Sequence, residues 1–174
     1  SRFCSSCGKK ATDNWITTSF NTLPRAIWQH ITFTMPQELW ELFWYNRYLM
    51  NEVPAIAAGI IKKLADQQGF IPGIFLAIHT AGRDLKRNFH IHLSTTIGGL
   101  SPSYDRWINS GYFYHATIKK EWRRQIISLF RQKFKQKALI LPSHLKHLKS
   151  YYEFCSWTGQ LYNKKWVVHL NKQS

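Results

Sequence analysis

Apolar and polar positions alternate along Trp28-Gln29-His30-Ile31-Thr32-Phe33-Thr34, which predicts a strand ended by Pro36. Ile31 and Phe33 share one face; His30, Thr32 and Thr34 share the other. The period then lengthens. Leu39, Leu42, Phe43 and Tyr45 or Asn46 recur at helical spacing over Gln37–Met50. Pro54 opens a second helix with the stripe Ala57, Ile60, Ile61 and Leu64, and Gly69 sits just past its end. Ile74–His79 reads as a strand. A turn region spans residues 81–88 and contains Gly82. A third strand carries His90 and His92, runs to Ile97 and stops at Gly98-Gly99. Leu100–Tyr114 is aromatic and loop-like. Ile118, Trp122, Ile126, Leu129, Phe130, Phe134 and Ala138 recur at steps of three or four, the clearest helix in the chain. Pro142–Gly159 reads as a further helix and turn, and Trp166–Leu170 as a last strand. Upstream, Ala11–Leu23 reads as a short helix or connector stopped before Pro24.

Composition narrows the class. With 174 residues, 44% hydrophobic and 16% aromatic, the chain is long and apolar enough for a packed core. No apolar run reaches the ~20 residues that span a bilayer, and no signal peptide opens the chain. Three cysteines, two of them in one Cys-x-x-Cys, suit a reducing cytoplasm better than a disulfide framework. The net charge is +15, from 24 Lys and Arg against 9 Asp and Glu, which points to a polyanionic partner. The charge is uneven. Between Lys119 and Lys149 stand ten Lys or Arg and one acid, Glu121. Lys119, Lys120, Arg123, Arg124, Arg131 and Lys135 put this one-sided charge on a helix and are the candidate phosphate contacts.

The candidate chemistry centres on Phe89-His90-Ile91-His92-Leu93. In a strand His90 and His92 point the same way and Ile91 points into the opposite layer, so two imidazoles can share one metal ion. The plain alternative is a pair of half-exposed strand histidines. A third ligand is needed: His79 on the neighbouring strand is the first candidate, and His30 on the first strand is the second. Three protein ligands with open positions form a site of catalytic type, because a substrate oxygen can fill the gap. Metal-dependent hydrolases of the β-lactamase type want His-x-His-x-Asp-His, but Ser94 and Thr95 follow here. Cupins want a nearby glutamate. A carbonic anhydrase reading could use His115 but leaves the basic surface without purpose. Near the start, Cys4-x-x-Cys7-Gly8 reads as a zinc-ribbon type knuckle, half of a four-ligand site; the plain alternative is an empty or redox Cys-x-x-Cys, which the lack of a βαβ pattern around it disfavours.

Several ordered pieces resemble the histidine-hydrophobe-histidine endonucleases. Within them the chain is similar to rolling-circle insertion-sequence transposases that carry an N-terminal zinc module and paired tyrosines. The pieces are Arg2-Phe3-Cys4-Ser5-Ser6-Cys7-Gly8, Trp28-Gln29-His30-Ile31-Thr32-Phe33-Thr34-Met35-Pro36, Leu76-Ala77-Ile78-His79-Thr80-Ala81-Gly82, Phe89-His90-Ile91-His92-Leu93, Gly98-Gly99-Leu100 and Trp166-Val167-Val168-His169. Family members often have proline where Phe89 stands.

The resemblance implies an α+β fold: a central antiparallel sheet with the metal site on one face and helices on the other. It also implies single-stranded or hairpin DNA at transposon ends as partner. Mg²⁺ or Mn²⁺ is expected at His90, His92 and a third ligand, and Zn²⁺ at a module that includes Cys4 and Cys7. Strand cleavage would proceed through a 5′-phosphotyrosine, which conserves bond energy for rejoining. The family's nucleophilic tyrosines follow the strand matching Trp166–Leu170, so the nucleophile is expected beyond Ser174 and no catalytic tyrosine within the chain. Residues 1–23 would then be the end of a zinc module and a connector. Residues 24–174 would be a nuclease domain without its tyrosine helix. The competing expectation is a DNA-binding fragment that does not cut.

Overall fold

A computed structural model describes residues 25–81 and 87–171, together with Asn14 and Thr18. Strands β1 (Trp28–Thr34), β2 (Ile74–Ala81) and β3 (Arg87–Thr96) come first. The short pair β4 (Gly99–Leu100) and β5 (Trp107–Ile108) follows, and β6 (Val168–Leu170) comes near the end. The helices are α1 (Trp40–Tyr45), α2 (Val53–Asp66), α3 (His115–Lys135) and α4 (Tyr151–Gln160). The main sheet has the order β2-β3-β1-β6, and every neighbouring pair is antiparallel. The α+β class and the antiparallel sheet expected from the sequence are both present. Cys4, Cys7 and most of the expected connector lie outside the described residues.

Alternation decides which face of the sheet is covered. Ile31 and Phe33 of β1, Phe89, Ile91 and Leu93 of β3, and Val168 of β6 are buried on one face. Helices α2 and α3 bring Val53, Ala57, Ile60, Ile61, Ile118, Trp122, Ile126 and Phe130 into the same core. Trp122 is fully buried against Phe33, with ring centroids 4.9 Å apart. Its indole N–H donates to the Thr34 carbonyl at 2.8 Å, so a core side chain also satisfies its polar atom. Phe43 stacks on Phe89 at 4.7 Å and meets Phe130 edge-on at 4.9 Å. The other face of the sheet carries His30, Thr32, Thr34, His79, His90, His92, Ser94 and His169, all half-buried or exposed.

Three elements depart from the expected bounds. The helix expected over Gln37–Met50 is broken into a 3-10 turn (Gln37–Leu39), α1, and a second 3-10 turn (Arg47–Asn51). Buried Asn46 is the cause: its amide donates to the Leu42 and Ile140 carbonyls at 2.8 and 2.9 Å, and its oxygen accepts from the Ile140 N–H at 2.8 Å. A side chain that competes for backbone groups interrupts a helix. Helix α3 starts earlier than expected and stops at Lys135. Lys137 there has φ 56°, and Ala138 lies beyond the helix. The expected loop over Leu100–Tyr114 contains the β4–β5 pair. At its root Gly98 has φ 97°, and a Cβ there would stand 2.1 Å from the Ile108 carbonyl oxygen, so the turn requires glycine.

Candidate metal centre

The β2–β3 register sets His79 directly opposite His90 and Ala77 opposite His92, while β1 sets Thr34 and Thr32 on their other side. All of these positions share the face that no described helix covers. Ring centroids are 4.5 Å apart for His79 and His92, 5.1 Å for His79 and His90, and 5.0 Å for His90 and His92. One nitrogen from each of the three rings lies within 4.8 Å of the other two. Imidazole–metal bonds of about 2.1 Å require only small side-chain rotations from that spacing. The donor set therefore fits a divalent first-row ion held by three neutral nitrogens, with further positions left for other oxygens.

Hydrogen bonds orient the rings. His90 Nδ1 is 2.8 Å from the Asn88 carbonyl oxygen. A carbonyl can only accept, so the proton sits on Nδ1 and the Nε2 lone pair is free. His92 Nδ1 is 2.9 Å from His30 Nε2 and 3.4 Å from Thr32 Oγ1. The protonation equilibria favour ligation as well. Burial holds the His92 imidazolium below the ordinary histidine range, helped by neighbouring His79, His90 and His30. Burial also lowers His30, with His169 adding to it. Both rings are thus kept neutral near neutral pH, the form in which histidine binds metal.

Around Thr34, the β1 residue paired with His90, and Asn88 a cleft of about 580 Å³ opens, lined also by Glu38, Trp40, Lys164 and Lys165. Lys164 pairs with Glu38 at 3.0 Å, and Asn88 Oδ1 is buried without a partner. These two lysines and His169 are not among the site candidates that the sequence puts forward. The signal was present: a lysine pair just before the last strand, and alternation that puts His169 opposite buried Val168.

The six basic residues singled out on α3 do not gather around the histidines. They lie on the helical side of the sheet, and they are not equivalent. Lys120, Arg124 and Lys135 are exposed and Lys119 is half-buried. Arg131 donates to Thr158 Oγ1 at 2.8 Å and to the Cys155 carbonyl at 3.0 Å, which ties α3 to α4. Arg123 donates to the Tyr162 carbonyl at 3.1 Å and lies over the Tyr162 ring at 5.2 Å. Arg124, Arg131, Lys135, Tyr151 and Tyr162 line a groove of about 440 Å³ on this side. His115, at the start of α3, meets the Val168 carbonyl at 2.7 Å and so joins helix to sheet. Among the described residues, no helix is long and apolar enough to cross a membrane.

Comparison with known proteins gives the architecture a family. Residues 73–174 match the family Y2_Tnp, described as "Putative transposase". The chain is 38% identical to the transposase for insertion sequence element IS801 of Pseudomonas savastanoi pv. phaseolicola, over 99% of the chain and 42% of that protein. It is 26% identical to "Putative transposase y4qJ" of Sinorhizobium fredii, over 96% of the chain and 44% of that protein. The chain thus spans less than half the length of the curated relatives it matches. No solved structure matches it. The match over β2, β3, α3, α4 and β6, with the relative at 38% identity over nearly the whole chain, establishes that the chain belongs to the Y2_Tnp transposase family.

Proposed function

We propose that this chain is the metal-binding and DNA-binding part of an insertion-sequence transposase that nicks and rejoins single-stranded DNA. The observation that carries this reading is the trio His79, His90 and His92, three nitrogens brought together on the sheet face that no described helix covers, in a chain of charge +15. His79 is the third ligand in this reading, because its register places it against His90. An all-nitrogen protein set favours Mn²⁺ over Mg²⁺, which prefers oxygen ligands. When bound, the ion withdraws charge from the scissile phosphate and stabilises the crowded transition state. Lys164 and Lys165 line the cleft that reaches Thr34, the strand partner of His90, and in this reading they take the phosphates that flank the cut. Cys4 and Cys7 are assigned to a zinc-binding module.

The attacking group is a tyrosine hydroxyl, which displaces the 3′ oxygen and leaves a 5′-phosphotyrosine and a free 3′-OH. We assign it to a part of the parent protein outside these 174 residues. Tyr151 and Tyr162 line the groove on the helical side, away from the histidines. The same observation supports the second reading, that this chain by itself binds DNA and does not cut it.

The test incubates the parent transposase with labelled single-stranded DNA and Mn²⁺ and looks for a covalent protein–DNA adduct in denaturing gels. The adduct is expected with the wild-type protein and lost in His90→Ala and His92→Ala. Equal adduct in those variants would refute the metal-assisted reading. An adduct formed by the 174-residue chain alone would refute the second reading.

A further inference from the structure

Two candidates for the third ligand were open from the sequence, His79 and His30, and the structure places them differently. His79 closes the trio. His30 stands behind His92, on the side away from His79, one strand further into the sheet. The His30 and His92 rings lie within 21° of one another with centroids 5.1 Å apart, while the nearest nitrogens are 2.9 Å apart. Rings stacked face to face would have much closer centroids. These two meet edge to edge, the geometry of an N–H···N hydrogen bond. The far nitrogen of His30, Nδ1, is 3.2 Å from Ser94 Oγ. A chain of three side chains therefore runs from His92 through His30 to Ser94.

The chain has two possible proton arrangements. If His30 Nε2–H donates, His92 Nδ1 is the acceptor and the His92 proton moves to Nε2, which then cannot bind a metal. If His92 Nδ1–H donates, His30 accepts at Nε2, carries its own proton on Nδ1 and donates it to Ser94 Oγ. The His92 Nε2 lone pair is then free for a metal shared with His79 and His90. The hydroxyl at the end of the chain permits the second arrangement, because Ser94 Oγ can accept.

We infer that His30 is a positioning residue and not a ligand: it accepts the Nδ1 proton of His92 and so fixes the tautomer and ring direction that aim His92 Nε2 at the metal. The inference rests on the metal reading proposed above. It assigns His92 the same kind of support that the Asn88 carbonyl gives His90. Each histidine of the pair thus has its Nδ1 engaged and its Nε2 free. Groups that hold a ligating histidine in this way typically change metal affinity by about 10–100-fold when removed.

The experiment uses the full 174-residue chain. Two readouts are taken for wild type, His30→Leu, His30→Gln and Ser94→Ala: Mn²⁺ affinity, from the signal of free Mn²⁺ in electron paramagnetic resonance, and the His92 tautomer in the metal-free protein, from long-range ¹H–¹⁵N correlation spectra. Wild type is expected to show His92 protonated on Nδ1. His30→Leu should lose Mn²⁺ affinity by about 10–100-fold and show mixed His92 tautomers. His30→Gln, whose amide oxygen can accept the same proton, should recover most of the affinity, and Ser94→Ala should have a smaller effect than His30→Leu. Amide spectra identify any variant that fails to fold, and His30→Gln then carries the comparison. Unchanged affinity and tautomer in His30→Leu would overturn the role given to His30. So would a wild-type His92 protonated on Nε2, or a folded His30→Gln as weak as His30→Leu. If the wild-type chain shows the Nδ1 tautomer but binds no Mn²⁺, the hydrogen bond stands and the metal reading itself falls, together with the purpose assigned here.

Discussion

Replacing His79 by alanine separates fold from site. The side chain is exposed on β2, an edge strand of the described sheet, and its ring neighbours among the described residues are His90 and His92. Surface changes of this kind shift stability by about 0.5 kcal/mol or less. The metal should respond far more. Four-ligand zinc sites release roughly 10–16 kcal/mol on binding, so one ligand contributes on the order of 2.5–4 kcal/mol. Mn²⁺ is held more weakly than Zn²⁺ by the same donors, and loss of one imidazole from three should remove about 1.5–3 kcal/mol, a fall of roughly 10–100-fold in affinity. Calorimetric titration of the 174-residue chain with Mn²⁺ measures this, with a melt of each variant as control. The expected result is an unchanged melting temperature and a large loss of Mn²⁺ affinity in His79→Ala. A folded His79→Ala that binds Mn²⁺ as tightly as wild type would refute His79 as a ligand.

Trp122→Phe should cost about 1–3 kcal/mol, from the lost hydrogen bond to Thr34 and the cavity left beside Phe33; a urea midpoint identical to wild type would contradict the packing described. Stability without metal should fall as the pH drops below about 6.5. The unfolded chain protonates His30 and His92 at the ordinary histidine value, 6.5, while the folded chain holds both lower, so the unfolded state binds more protons in that window and acid favours it. A double variant His30→Gln, His92→Gln should flatten that slope in chemical denaturation series, and an equally steep slope would exclude these groups as its source. DNA affinity should fall linearly with salt on logarithmic axes, and Lys164→Ala with Lys165→Ala should lower the slope by about two if both meet phosphates.

Period and alternation made much of the fold legible. The strand through His90 and His92, the faces of β1, and the core stripe of α3 follow directly from apolar positions at steps of two or of three and four. Registers were harder to read. That His79 opposes His90 depends on how β2 and β3 join, and a shift in pairing between His79 and Ala81 lies in that join. The break after Tyr45 depends on Asn46 reaching Ile140, a contact between residues far apart in the chain. The charge on α3 was legible as a count but not as a surface: α4 packs on that side and turns Arg131 inward to Thr158 and Cys155, and Tyr162 likewise occupies Arg123. His30 was recognised as a candidate, yet its place behind His92 follows from strand order, which no local pattern encodes.

Crystals of the chain soaked in Mn²⁺ and recorded with anomalous scattering test the histidine site most directly. An anomalous peak between the rings of His79, His90 and His92, with His30 in contact with His92 and not with the peak, is the expected result. A folded chain with no peak among those three rings would contradict it.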